Sequence, residues 1–202
     1  MHTERGFTRL VGFSDGVVAI AITLLVLPLV TSAAEAGTDL GLFLRENGYQ
    51  LFVFVLSFAV IGRFWLVHHE MYENAIGYSG MLLWSNLLWL LSIVFLPFPT
   101  ELLATTSDRD DTITYGLYVG TMLLTSIATV LQQWALIRRP DLQAEPVRGS
   151  LRLRSYVVTL VIMAIALVIS VLVPHYGLYS LLLLVLATPA ERLFDKMRKG
   201  AK

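Results

Sequence analysis

Hydrophobic residues in this chain fall in long runs parted by short polar stretches, and six such runs can be drawn, at about residues 10–31, 47–67, 77–98, 113–137, 155–174 and 177–190. The first five each approach the ~20 apolar residues that a helix needs to cross ~30 Å of hydrocarbon. The pattern therefore predicts an all-α integral membrane protein with six transmembrane helices. Only Pro174-His175-Tyr176-Gly177 separates the fifth run from the sixth, which predicts a tight hairpin with a short last arm. Prolines mark the expected ends: Leu96-Pro97-Phe98-Pro99 for the third helix, Pro140 after Arg138-Arg139 for the fourth, and Thr188-Pro189 for the sixth. A proline cannot continue the hydrogen-bond ladder and also restricts its predecessor. One membrane domain over residues 1–202 is expected, with no soluble module and no internal repeat.

The first run differs from the others at its entrance. From Gly16 to Ala34 it has no charge, but Arg9, Ser14 and Asp15 stand just before that stretch. Polar groups beside hydrocarbon are functional suspects. At 100° per residue Gly12, Gly16, Ile20, Thr23 and Leu27 fall on one narrow stripe, small at its start and then bulky, with one hydroxyl. The run lacks an A-x-A cleavage site and carries a polar cluster, so it does not read as a signal peptide.

Charge placement then gives an orientation. With six spans and both termini cytoplasmic, thirteen basic residues fall inside, among them Arg63 and five arginines between residues 138 and 154, whereas only Arg45 and Arg109 fall outside. That is the bias of the positive-inside rule, and five or seven spans would put one terminus on the wrong side. The outer loops carry Glu35, Asp39, Glu46, Glu101, Asp108, Asp110 and Asp111, which are either ordinary solvated acids or a negative vestibule that concentrates cations. Overall, fifteen basic and fifteen acidic residues cancel, so charge gives no reason to expect a nucleic-acid partner.

Composition narrows the chemistry. Charged residues make up 15% of the chain, against ~25% in soluble domains, and apolar residues 56%. There is no cysteine, which removes disulfides, thiolate metal sites and cysteine nucleophiles. His69 and Glu73 share a helix face and suit zinc or iron, but the second histidine of H-E-x-x-H is missing. The more economical reading is a polar knot of His68 or His69 with Arg9, Ser14 and Asp15, in which Asp15 pairs with Arg9 or a histidine. Thr121, Thr125 and Thr129 repeat every four residues and read as hydroxyls bonded to their own i−4 carbonyls or to a neighbouring helix, with an aqueous path as the alternative. Gly116-x-x-x-Gly120 marks a close-packing face on the same helix. Thr114-Tyr-Gly-Leu-Tyr-Val-Gly120 has the wrong order and the wrong setting for a carbonyl selectivity filter. No Walker loop, G-x-S-x-G or G-x-G-x-x-G occurs, and no cofactor is expected. Trp84, Trp89 and Trp134 read as belt and packing residues.

Arg9-x-x-x-Phe13-Ser14-Asp15 followed by Gly-Val-x-Ala-Ile-Ala-x-Thr-Leu-Leu resembles the first-helix signature of the prokaryotic relatives of the endolysosomal transmembrane potassium-leak channel family. The resemblance covers about a tenth of the chain, and length and span count agree with bacterial members, which carry one six-helix repeat per subunit. It implies a homotetramer in the bacterial plasma membrane that passes potassium ions through a pore lined by the first helix of each subunit. It also implies a hydrophobic constriction in place of a carbonyl filter, with Ile20 at the narrowest point, Thr23 a turn above it and Leu27 as a further apolar layer. Arg9, Phe13, Ser14 and Asp15 would then hold the cytoplasmic end of that helix against the second and third helices, with Trp65 and His69 as the inferred contacts. Two readings stand against it: a small transporter or helical scaffold, and a membrane-embedded metal enzyme using His69 and Glu73. A transporter is expected to show broken helices, a midplane charge and an internal repeat, and none is visible.

Overall fold

A computed structural model describes residues 4–36, 40–106 and 111–172, all of it helix and connecting turns apart from one isolated bridge between Ala75 and Gln143. In order the helices are α1 (Glu4–Leu24), α2 (Leu27–Ala36), α3 (Leu40–Glu46), α4 (Gly48–Glu73), α5 (Gly80–Phe95), α6 (Pro97–Thr105), α7 (Thr112–Ile137) and α8 (Arg154–Leu172). Among the described residues, five stretches are long and apolar enough to cross a membrane: Glu4–Ala34, Gly48–Glu73, Gly80–Thr105, Thr112–Ile137 and Arg154–Leu172. These correspond to the first five expected spans. The sixth, at about 177–190, lies outside the described residues, as do Arg109 and the C-terminal basic residues.

α5 ends at Phe95, where the prolines are expected to close it, but the span does not end there, because Pro97 stands at the first position of α6, where the missing N–H has no partner to lose. Leu96 N donates to Ile93 O at 3.2 Å and Thr100 N to Leu96 O at 3.1 Å, so the chain is carried through the junction. The first span breaks at Leu25-Val26, whose amides turn back to Ile22 O and Thr23 O at 3.3 Å each. Pro28 explains the break, since it cannot bond the Leu24 carbonyl and disfavours helical backbone at the residue before it. The regular 100° stripe of α1 therefore runs only as far as Thr23, and Leu27 projects from beyond a turn.

α7 is the central helix, and its buried face is unusually polar. Thr121, Thr125 and Thr129 donate to the carbonyls four residues back at 2.8, 3.0 and 2.8 Å, and the Thr125 hydroxyl also reaches Ser92 Oγ on α5 at 2.9 Å. All three are buried within the bundle, and Thr125 ties the helix to α5. α8 packs along the other side, where a Cβ placed on Gly116 would meet Val171 at 3.7 Å. Toward the far end, Tyr118 Oη and Ser57 Oγ lie 2.8 Å apart, and Thr100 Oγ1 donates to Ser57 Oγ at 3.2 Å, joining α7, α4 and α6.

Gln132, also on α7, is fully buried, and neither amide atom has a hydrogen-bond partner among the described residues. A buried polar group without a bond costs about 1–3 kcal/mol. Gln132→Met keeps the length and removes the polar atoms, so its melting temperature should equal or exceed that of the wild type. A clear drop in a thermal-shift measurement would show that the amide is bonded in the membrane.

Candidate pore helix and its polar anchor

α1 has two unlike faces. Ser14, Val18, Ala21 and Leu25 are buried at spacings of four, three and four, which seats one stripe against the bundle. Opposite them Gly12, Gly16, Ile20 and Thr23 are exposed, as is Leu27 beyond the break. Ile20 is 63% exposed and Leu27 54%, and nothing lies within 4 Å of a Cβ built on Gly12 or Gly16. Thr23 Oγ1 donates to the Ile20 carbonyl at 2.8 Å, leaving its oxygen lone pairs on the bare face. The helix thus shows small residues, a branched side chain and a hydroxyl in sequence along one uncovered line.

The foot of this helix is fastened by side chains from α4 and α5. Asn86 Nδ2 donates to Ser14 Oγ at 2.9 Å, and Ser14 Oγ donates to the Leu10 carbonyl at 2.9 Å. Asn86 Oδ1 lies 2.8 Å from His68 Nε2. A carboxamide oxygen only accepts, so the imidazole is the donor there. The His68 ring is sandwiched between Tyr72 and Trp89, with centroids 4.2 and 4.1 Å away, and Phe7 of α1 stacks on Tyr72 at 5.9 Å. Next to this column, Trp65 Nε1 donates to Asp15 Oδ1 at 2.8 Å. Trp65 in turn stacks on His69, which lies 3.3 Å from Glu73.

Several expected residues are therefore brought together, with changed partners. Asp15 is bonded to Trp65 and not to Arg9, which is exposed. The reason is geometric: Arg9 and Asp15 are six residues apart, about 120° around the helix and about 9 Å along it. Of the two histidines, His68 points inward and is 1% exposed, while His69 is half-exposed beside Glu73. Phe13 is 57% exposed on the outer side of α1. Among the described residues no three histidine, aspartate or glutamate side chains come together as a metal set. Sequence reasoning missed Asn86, the hub of the network, and left open whether Trp89 is a belt or a packing residue; it is fully buried and packs. Their signal was a lone amide inside an otherwise apolar run, GMLLWSNLLWLL.

The arrangement defines a multi-pass α-helical membrane protein in which the first helix is anchored at its foot and bare along one face. Residues 9–97 match the family of the endosomal/lysosomal potassium channel TMEM175. A potassium channel of Streptomyces collinus is 33% identical over 132 residues, and one of Chryseobacterium is 30% identical over 131 residues. Each alignment takes in 64% of this chain, which spans 64% and 65% of the length of these relatives. The crystal structure of a lysosomal potassium-selective channel TMEM175 homolog from Chamaesiphon minutus superposes with a TM-score of 0.76 at 25% identity, over 93% of this chain and 98% of that one. These likenesses support a prokaryotic member of the TMEM175 family. Its named relatives are channels, and the family is one of channels, not of enzymes.

Proposed function

We propose that this chain is a subunit of a potassium-permeable channel whose pore is lined by α1 of each copy in a homotetramer, closed down by hydrophobic side chains and not by backbone carbonyls. The observation that carries this reading is the two-faced α1, with its inner stripe buried, its foot bonded to α4 and α5, and the line from Gly12 to Thr23 uncovered. Copies meeting about an axis along that line would place Ile20 at the constriction, Thr23 above it and Leu27 as an outer apolar layer. The relatives named as potassium channels supply the ion. Arg9, Phe13, Ser14 and Asp15, with Trp65 and His69, would then position the pore helix and not touch the ion.

The topology that goes with this is one membrane domain over residues 1–202 in the bacterial plasma membrane, with a sixth span at about 177–190 and both termini on the cytoplasmic side. Because the native chain has no cysteine, single-cysteine labelling tests it cleanly. Ser150→Cys should react with an impermeant reagent only from the cytoplasmic side, and labelling from outside would overturn the topology. For conduction, purified protein in liposomes should carry potassium down its gradient, with a sodium gradient as the control. Liposomes no leakier than protein-free ones would sink the channel reading.

A further inference from the structure

The segment between α7 and α8, expected on the cytoplasmic side, is a folded clasp. Ile76 N donates to Leu142 O at 2.9 Å and Ala144 N to Asn74 O at 3.0 Å, which sews it to the α4–α5 turn. Gln143 is the pin, being 1% exposed: its Nε2 donates to Leu136 O at 2.6 Å and its Oε1 accepts from Gly149 N at 2.8 Å. Gly149 sits at φ +75°, a left-handed conformation that favours glycine. Gln133 Nε2 then donates to the Arg152 carbonyl at 3.2 Å, fixing the approach to α8.

This rigid segment presents arginines at a membrane boundary. Five arginines stand against two acids between residues 138 and 154. Arg139 takes up Asp141 with two bonds, of 2.9 and 2.8 Å. Arg138 lies 3.9 Å over the Trp134 ring, and tryptophan at the end of a spanning helix belongs at headgroup level. Arg148, Arg152 and Arg154 are exposed. Arg154 also heads an exposed stripe on α8, at spacings of four, three, four and three: Val158, Val161, Ile165 and Val168. Val158 to Val168 spans about 15 Å at 1.5 Å per residue, the depth of one leaflet.

From this juxtaposition we infer that Arg148, Arg152 and Arg154, held by the Gln143 clasp, form a binding site for an anionic phospholipid, with its phosphate at the guanidiniums and an acyl chain along the α8 stripe. Guanidinium matches phosphate oxygens in a planar fork, and preorganised backbone lowers the entropy lost on binding. A loop that served orientation alone would need the charges but not the clasp. The site requires that α7 and α8 span the membrane and does not depend on conduction.

Native mass spectrometry of the full-length protein, released from mixtures of phosphatidylglycerol and phosphatidylcholine with identical chains, tests it. The wild type should retain phosphatidylglycerol preferentially, and Arg148→Gln, Arg152→Gln and Arg154→Gln should each lower the retained ratio roughly two- to fivefold. Replacing all three with lysine should lower the preference less than glutamine does, since the charge is kept but the planar fork is lost. Inorganic phosphate in excess should not displace the lipid; displacement would mean a free-phosphate site and overturn the assignment. Equal retention of the two lipids by the wild type, or an undiminished preference in the triple glutamine variant, would also overturn it. Should the triple variant not fold, a wild-type preference that survives high salt unchanged would defeat the idea, since exposed charge pairs are screened. A protein that conducts no potassium can still pass this test, so its outcome is separate from that of the channel proposal.

Discussion

Replacing Asn86 with leucine is expected to lower the melting temperature of the purified protein by about 4–8 °C, corresponding to roughly 2 kcal/mol for a chain of this size. Single hydrogen bonds between membrane helices average only about 0.6 kcal/mol, because the unfolded reference also finds partners. Asn86 is a different case, since one side chain serves two buried groups on two other helices, Ser14 Oγ and His68 Nε2. Leucine would leave the imidazole N–H facing hydrocarbon between two aromatic rings, a stranding cost of about 1–3 kcal/mol. Asp15→Ala strands only Trp65 Nε1 and should cost less, and Arg9→Ala should leave subunit stability within about 0.5 kcal/mol, as surface substitutions do. Ion preference should be unchanged in all three. Thermal melts in detergent would refute the network reading if Asn86→Leu matched the wild type, and a stable Asp15→Ala protein without cation preference would make Asp15 part of the ion path.

That hierarchy was only partly legible in the sequence, for physical reasons. The spanning helices stand out because hydrocarbon demands long apolar runs, and the demand is strong enough to survive Gly, Thr and Trp within them. The anchor was legible at its α1 end, where Ser14 and Asp15 interrupt the apolar pattern. Its partners were not, because adjacent residues on a helix point 100° apart and composition does not say which of His68 and His69 faces inward. Packing decides it: His68 fits between Tyr72 and Trp89, one turn away on its own helix and across on α5. The Pro97 and Pro28 junctions show the same limit, since proline opens a helix as readily as it ends one. The clasp depends on Gln143, whose bonds reach residues six and seven positions away in a segment without periodicity.

Ile20→Asn is expected to raise potassium conductance severalfold and to weaken discrimination between potassium and sodium. On α1 the stripe is glycine at residues 12 and 16, so Ile20 is the first side chain bulky enough to narrow an axis that this face surrounds. A ring of such side chains is poorly wetted, and a dewetted constriction is a barrier to any hydrated ion. Asparagine has similar bulk but hydrogen-bonds water, so ions would pass with their hydration shells and the distinction between the two cations would fade. Ile20→Phe should act in the opposite direction, filling the lumen and lowering flux. The competing expectation is that Ile20 faces lipid, in which case asparagine adds a polar group to hydrocarbon and brings instability without current. The structure makes the comparison clean, because Ile20 is 63% exposed in the subunit and its loss removes no core contact, so an Asn variant that folds reports on the path. Single-channel recordings of the two variants in planar bilayers decide it: unchanged conductance for Ile20→Asn would take Ile20 out of the pore, and with it the proposal that α1 lines the path.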